Sequence, residues 1–390
     1  MSVINYLIGS EKTDNTPQQT FSDEICTFMN DLSAALMRSP NGRTYPDISA
    51  LAFWCRKGNI QKLKERYVEK SERLGRGICF HVTPSNIPIN FAFSWLFSLI
   101  AGNANIVRLP SKDFPQVTPV LDAIAKTMEK YPEIARRTAF VRYPADNAVT
   151  AEFCARADAR MIWGGDSTIA SIKSLPTKPR CVDIAFADRY SICLIGGKAV
   201  LDANEEDIKR LAQNFYNDTY LMDQNACSSP QLILWLDDSA EARERFWKSV
   251  YDCAEKKYRL QAAVAVDKYT QMCEDAVSLD IVRSVSRNGN LLYRAELDAL
   301  RPDMTGIRGE AGYFYEYAIS CLDKIKNIIT EKFQTVTYFG IDPFEIRRFV
   351  ITNNLRGIDR IVPVGRAMDI SIIWDGFDIV RTLSRIVSVE

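Results

Sequence analysis

The run Asp223-Gln224-Asn225-Ala226-Cys227-Ser228-Ser229-Pro230 presents one cysteine on a short loop of small polar residues. An amphipathic stretch precedes it, and the apolar strand Gln231 to Leu236 follows. A cysteine placed this way is open on one side and fixed on the other, which suits a nucleophilic thiolate. The bland alternative is a small buried hydrophobe, the usual state of an intracellular cysteine. Ser228 and Ser229 argue against full burial. If Cys227 is a nucleophile, the chain is an enzyme with a covalent intermediate.

Three other loops carry groups that could serve such a centre. Thr83-Pro84-Ser85-Asn86-Ile87-Pro88 follows an apolar run. Asn86, stiffened by the prolines, can aim its amide at a developing oxyanion. It can equally bond its own backbone in a strand-to-helix turn. Arg108-Leu109-Pro110-Ser111-Lys112 ends a second strand; its basic and hydroxyl groups suit a ribose or its phosphate, or simply a solvated strand end. Trp163-Gly164-Gly165-Asp166-Ser167-Thr168 places glycines before a helix, where a pyrophosphate could approach backbone N–H groups. Two such glycines are also ordinary punctuation. The single histidine, His81, lies inside a strand and reads as a core residue. With one histidine, only His81 itself could pair with a nucleophile, and a multi-histidine metal site is excluded.

These loops need a scaffold, and the chain supplies a regular one. Apolar runs at 77–82, 105–109, 139–143, 160–163, 181–186 and 191–195 read as strands. The stretch 88–101 reads as a buried helix. Val117, Leu121, Ile124 and Met128 share one helical face. This alternation indicates a mostly parallel sheet with helices on both faces, whose strand-to-helix turns are the ligand edge. Asn204 caps a helix with the apolar face Ile208, Leu211, Ala212 and Phe215. The tail from Ile370 to Val389 reads as β-rich, and the charge run from Lys62 to Lys70 as a solvated helix face.

With 390 residues the chain is long enough for two domains. Hydrophobic residues make up 47% and charged ones 25%, the profile of a globular protein. Lys plus Arg and Asp plus Glu each total 49, so nucleic acid is not the expected partner. The ten cysteines are scattered without a CxxC pair, arguing against a zinc site or disulfide framework and for a reducing, cytoplasmic setting. The N-terminus does not read as a signal peptide. The longest apolar stretch, 91–101, is too short to span a bilayer.

Taken in order, Pro84-Ser85-Asn86-Ile87-Pro88, Ala101-Gly102-Asn103, Pro110-Ser111, Gly164 to Thr168, Lys178-Pro179 with Asp183, and Asn225-Ala226-Cys227 resemble the sequence plan of the aldehyde dehydrogenase superfamily. The runs 102–112, 223–230, 357–365 and 374–378 resemble more closely its LuxC-like acyl-CoA reductase branch, with the likeness strongest over residues 75–390. The residues themselves read as an α/β fold with a polar, helix-like start that carries little of the resemblance. The resemblance gives the rest an aldehyde dehydrogenase-like plan, four parts in all. Residues 1–74 would be a helical segment, 75–196 a Rossmann-type nicotinamide domain and 197–365 an α/β catalytic domain. Residues 366–390 would be a β-rich tail able to join subunits in a homodimer or homotetramer.

It also implies reduction of a fatty acyl thioester, on CoA or on a carrier or partner protein, to the aldehyde. Cys227 would take the acyl group, Asn86 and the Cys227 N–H would hold the oxyanion, and NADPH (or NADH) would be the reductant. The cofactor would lie against Thr83, Pro84, Ser85, Arg108, Leu109, Ser111, Lys112, Gly164, Gly165, Ser167 and Thr168. An acyl-protein synthetase would be a possible partner. Asp183 falls where the superfamily has its water-activating glutamate, but one methylene shorter and without the Gly-Gly-Lys that follows there. Weak hydrolysis is therefore expected. A strand-end carboxylate is the other reading of Asp183. Arg360, Arg366, Asp369, Trp374 and Asp378 resemble a C-terminal family signature. A cysteine acyltransferase without redox chemistry and a non-catalytic partner of an acyl-protein synthetase are the competing functions.

Overall fold

The computed structural model describes residues 3–39, 44–85 and 87–390, apart from the side chains at 68 and 70. Asn86 lies outside the described residues. The chain forms two units, 1–187 with 372–390 and 188–371, so the second is inserted into the first.

The first unit begins with strands β1 (Asn5–Ile8), β2 (Arg73–Gly75), β3 (Ile78–Val82), β4 (Ala104–Arg108), β5 (Thr138–Arg142), β6 (Ala159–Trp163) and β7 (Val182–Phe186). All but β2 form one sheet in the order β1-β5-β4-β3-β6-β7, parallel except for β1. The central strand β3, Ile-Cys-Phe-His-Val, is buried along its whole length, as a strand covered on both faces must be. Helix Asn90–Ile100 is likewise buried on every side. Helix Val117–Met128 buries Val117, Leu121, Ile124 and Met128, as their spacing requires. From β3 the chain moves to β4 and β5 on one side, then returns to β6 and β7 on the other. The crevice at the carboxyl ends of β3 and β6 is therefore the topological switch point.

The second unit holds β8 (Tyr190–Gly196), β9 (Pro230–Leu236), β10 (Val282–Asn288), β11 (Leu292–Leu297), β12 (Tyr313–Ala318), β13 (Phe333–Phe339) and β14 (Arg360–Pro363). Their order is β10-β11-β12-β9-β8-β13-β14, with only the β10–β11 pair antiparallel. Helix Glu205–Asp218 starts on Asn204, whose side chain accepts from the N–H groups of Glu206 and Asp207.

Three expectations about organisation change. The units part at 187/188, not 196/197, because β8 pairs with β9 and β13 in the second sheet. The N-terminal segment belongs to the first unit: helix Asp23–Arg38 buries Ile25, Phe28, Met29 and Leu32 there. The tail is not β-rich. It comprises the two-residue strands β15 (Ile373–Trp374) and β16 (Phe377–Asp378), helix Ile379–Leu383, and β17 (Ser384–Ile386). Strand β17 pairs antiparallel with β2 of the same chain. The Arg73 guanidinium, nearly buried, donates to Ser384 Oγ at 2.9 Å and to the Arg381 carbonyl at 2.8 Å, which fixes this return. Among the described residues no helix is long and apolar enough to cross a membrane.

Candidate active site

In the first unit, parallel pairing brings the residues expected to bind a nucleotide to one edge. Thr83 and Ser85 follow β3, Arg108 ends β4 with Ser111 and Lys112 beyond it, and Gly164 to Thr168 follow β6. The Thr83 hydroxyl donates to the Arg108 carbonyl at 2.6 Å, tying the ends of β3 and β4 together. The Arg108 guanidinium lies 4.4 Å from the centre of the Tyr143 ring, and the Lys112 ammonium 5.3 Å from that of Phe114. Such stacking holds a cation in place while leaving it charged. Gly165 precedes helix Asp166–Lys173, and a Cβ built on it would meet nothing within 4 Å. The backbone there is open to an approaching phosphate. These features fit a nucleotide at the switch point.

Leu109 does not join this edge. Its side chain is buried and its N–H donates to the Val141 carbonyl at 2.9 Å. Asp183 is also committed elsewhere. Arg160, next to it across the β6–β7 ladder, grips both its oxygens at 2.7 and 2.6 Å. Arg160 is nearly buried, and the bidentate contact raises its pKa against the opposing pull of burial. This carboxylate completes an ion pair in the sheet instead of standing ready as a base. His81 is a satisfied core residue: its ring nitrogens meet Ser94 Oγ at 2.8 Å and Asn105 Oδ1 at 3.0 Å. Burial lowers its pKa to about 4, so it is neutral at pH 7.

In the second unit Cys227 stands at the amino edge of the sheet, three residues before β9. Its backbone is bolted down. The Ser191 hydroxyl donates to the Cys227 carbonyl at 2.7 Å and accepts the Thr335 N–H at 3.3 Å, linking the loop to β8 and β13. The loop entrance is sharply bent, with Asp223 and Gln224 both in the left-handed region at φ 50° and 62°. Few side chains adopt two such residues in succession. Here the buried Gln224 amide compensates, donating to the Tyr313 carbonyl at 2.9 Å and accepting the Gly312 N–H at 3.1 Å. Gly312 itself has φ 92°, and a Cβ there would sit 2.3 Å from the Leu291 carbonyl. Only glycine fits that position.

Cys227 is half-buried and lines a cavity of about 180 Å³. The walls are polar and include Asn225, Gln271, Glu310, Arg189 and Arg308. Asp188 holds Arg308 in a fork at 3.0 Å on both arms, and Asp359 lies 3.7 Å from Arg189.

A second loop, 364–369, adjoins the cysteine loop through a 3.8 Å contact of Ser228 Oγ with Met368 Sδ. Asp218, fully buried at the end of its helix, accepts the N–H groups of Gly365 at 2.6 Å and Ala367 at 2.9 Å. Burial pushes its pKa up to about 7 against those two bonds and the nearby charge of Arg360. Arg360 opens β14 and donates to the carbonyls of Ala367 at 2.6 Å, Arg366 at 2.8 Å and Asp369 at 2.6 Å. The expected C-terminal cluster is thus divided. Arg360, Arg366 and Asp369 belong to this loop, whereas Trp374 and Asp378 belong to the first unit, where Asp378 accepts from the Tyr67 hydroxyl at 2.8 Å. Sequence reasoning missed Ser191, Asp218 and Gln224. An aspartate placed among the apolar positions of an amphipathic helix was the one available signal.

Comparison with known proteins identifies the fold and the family. A family model described as acyl-CoA reductase (LuxC) matches residues 18–269, about two thirds of the chain, and the match includes Cys227. It begins well before residue 75, so residues 18–74 are part of the family pattern. A long-chain acyl-protein thioester reductase of Vibrio harveyi is 24% identical over 303 residues, 74% of this chain and 59% of the relative. Long-chain acyl-protein thioester reductase 2 of Photobacterium leiognathi is 27% identical over 172 residues, 43% of this chain and 34% of the relative. The chain thus spans between about a third and three fifths of the length of these relatives. Among solved structures, a mutant 1-pyrroline-5-carboxylate dehydrogenase of Thermus thermophilus superposes with a TM-score of 0.63 at 11% identity, covering 95% of this chain and 82% of that one. Aldehyde dehydrogenase 21 of Physcomitrella patens gives 0.63 at 11% identity, covering 93% and 85%. The fold is that of the aldehyde dehydrogenases, and the chain belongs to the acyl-CoA reductase (LuxC) family.

Proposed function

We propose that this protein reduces a fatty acyl thioester to the fatty aldehyde through an acyl group carried on Cys227. The observation that carries the reading is a half-buried cysteine on a rigidly bolted loop, opening into a polar cavity. The Cys227 thiolate attacks the acyl carbonyl, and the donor thiol departs as a thiolate. One sulfur replaces another, so the leaving group needs no strong acid, and the step requires no histidine. The Cys227 N–H and the Asn86 side chain are the proposed oxyanion donors.

NADPH is the proposed cofactor, held by Thr83, Pro84, Ser85, Arg108, Ser111, Lys112, Gly164, Gly165, Ser167 and Thr168. When bound it supplies the hydride that the acyl group must receive. The proposed contribution of the chain is to hold the phosphates on open backbone at Gly165 and to meet the ribose end with Arg108 and Lys112. The commitment of Asp183 to Arg160 disfavours water activation, so the thioester is reserved for reduction. The donor is an acyl-CoA or an acyl group on a carrier or synthetase partner.

The test follows NADPH absorbance with acyl-CoAs of increasing length and with an acyl-carrier protein, using Cys227→Ala in parallel. Aldehyde formation that vanishes in the variant supports the proposal. Labelled acyl trapped on Cys227 without NADPH oxidation would replace it with acyl transfer.

A further inference from the structure

The run Trp374-Asp375-Gly376-Phe377-Asp378 belongs to the family-like pattern, yet the reaction proposed above makes no use of it. It folds as the β15–β16 hairpin, in which Trp374 pairs with Phe377 across a two-residue turn. Asp375 and Gly376 are both left-handed, at φ 50° and 75°. Asp-Gly suits such a turn, which closes a short hairpin tightly. The hairpin is held to its own unit. The Tyr67 hydroxyl donates to Asp378 at 2.8 Å, and Asp378 caps helix Ile379–Leu383 by accepting the Arg381 N–H at 2.9 Å. That helix buries Ile379, Val380 and Leu383.

One side chain of the hairpin reaches the edge where the nucleotide is expected. The half-buried Phe377 ring meets that of Phe186 in a T-shaped pair, with centres 6.1 Å apart at 79°. Phe186 ends β7 and stacks on Trp163, which ends β6, at 3.8 Å and 21°. Trp163 is also fixed from the core: its indole N–H donates to Ser94 Oγ at 3.0 Å. The Phe186 carbonyl accepts the Gly164 N–H at 3.2 Å. All these residues belong to the first unit. Gly164 and Gly165 have no side chains to hold their own course, so the backbone proposed to meet the phosphates leaves the sheet from an aromatic stack that the tail contacts.

We propose that Phe377 is a positioning residue for the nucleotide: the docked tail hairpin steadies the Trp163–Phe186 stack, and through it the Gly164–Gly165 backbone. Tail docking and dinucleotide binding are then coupled, and each strengthens the other by the same factor. An aromatic pair of this kind shifts an equilibrium by roughly two- to tenfold. The inference rests on the cofactor reading above.

The experiment measures both directions of the coupling on the full chain. NADPH affinity is measured by calorimetry for the wild type, Phe377→Ala and Phe377→Tyr. Phe377→Ala should raise the dissociation constant about fivefold, while Phe377→Tyr, which keeps the ring, should stay within about twofold of the wild type. Hydrogen exchange of the wild type is then followed with and without saturating NADPH. The Ile379 N–H, bonded to the Ile372 carbonyl at 2.9 Å, reports tail docking, together with the amides of β17. These should exchange about fivefold more slowly with NADPH, whereas β1, at the opposite end of the sheet from β7, should be unchanged. A tail that served only to complete the fold would not respond to the nucleotide.

Equal NADPH affinity in Phe377→Ala and the wild type overturns the proposal, as does tail exchange that NADPH leaves unchanged. Cys55 and Cys79, fully buried in the first unit, stay unlabelled by iodoacetamide while the variant is folded. Should they label in Phe377→Ala, the wild-type exchange decides alone. A wild type that does not bind NADPH overturns the cofactor reading, and this inference with it. Wild-type binding without coupling overturns only this one.

Discussion

In the first unit the candidate ligand groups hang from the carboxyl ends of β3, β4 and β6; in the second, Ser191, Cys227, Gly312 and Arg360 gather at the amino ends of β8, β9, β12 and β14. The difference has a physical basis. At the carboxyl edge of a parallel sheet the following helices begin, and their N–H groups favour phosphates. At the amino edge the preceding helices end, and their carbonyls repel anions. The edge of the first unit therefore suits a nucleotide with little more than an open glycine. A thiolate at the second edge has the local field against it. The buried charges differ too. In the first unit Arg160 and Asp183 satisfy each other face to face. In the second, Asp218 and Arg360 both hydrogen-bond backbone groups of the 364–369 loop.

Experiments can press on this division. The largest effect should come from Cys227→Ala, which removes the proposed nucleophile and should lower aldehyde formation by at least about a thousandfold. Nicotinamide binding, followed by protein fluorescence, should be unchanged; a parallel loss of binding would show that the division of labour is wrong. Next comes Arg160→Met, which strands a partly buried carboxylate. A cost of about 3 kcal/mol in urea unfolding is expected, with the pH profile of Cys227 alkylation by iodoacetamide unmoved. A shifted profile would return Asp183 to the chemistry.

The third effect is acid sensitivity from His81. Its folded pKa of about 4 lies below its unfolded value of 6.5, so the unfolded chain binds the proton first. Stability is complete above about pH 6.5 and declines as pH falls toward 4, by about 3 kcal/mol. Pulse proteolysis in urea should show this in first-unit fragments, and His81→Gln should flatten it. A smaller effect is expected from Gly165→Val, which places a side chain where the phosphates would approach and should weaken NADPH binding about tenfold. Unchanged affinity would move the cofactor off this edge. Asp218 should give a pH trend of the opposite sign to that of His81. Asp218 has a folded pKa near 7, above its unfolded 3.8, so its contribution to stability declines as pH rises between those values. Second-unit fragments should lose up to about 4 kcal/mol of protection over that range, and Asp218→Asn should remove the trend.

Much of this was legible in the residues. The four-three-four spacing of Val117 to Met128, the mostly apolar runs of β3 and β8, and the capping Asn204 are local signals, and each marks its element. The cysteine loop was legible for the same reason. What escaped reading was partnership across the chain. A buried strand such as β8 carries no mark of which sheet it joins. The clamp of Arg160 on Asp183 depends on two strands lying side by side. Leu109 reads as an edge residue because it lies in the 108–112 run that the resemblance assigns to the cofactor. The tail read as β-rich because Ile, Val and Trp favour strands, yet Asp378 caps a helix there by accepting the Arg381 N–H.

The pairing of β17 with β2 also bears on how the molecule is made. Arg73 emerges early from the ribosome, but its partner Ser384 lies 311 residues later. At roughly 5–20 residues per second, that bond waits about fifteen to sixty seconds for its second half. During this interval the inserted unit can be completed in full, cysteine loop included, while its host still lacks its closing strand. Nascent chains halted just before Arg381 should therefore show a protease-resistant second unit beside a first unit that is still being cut.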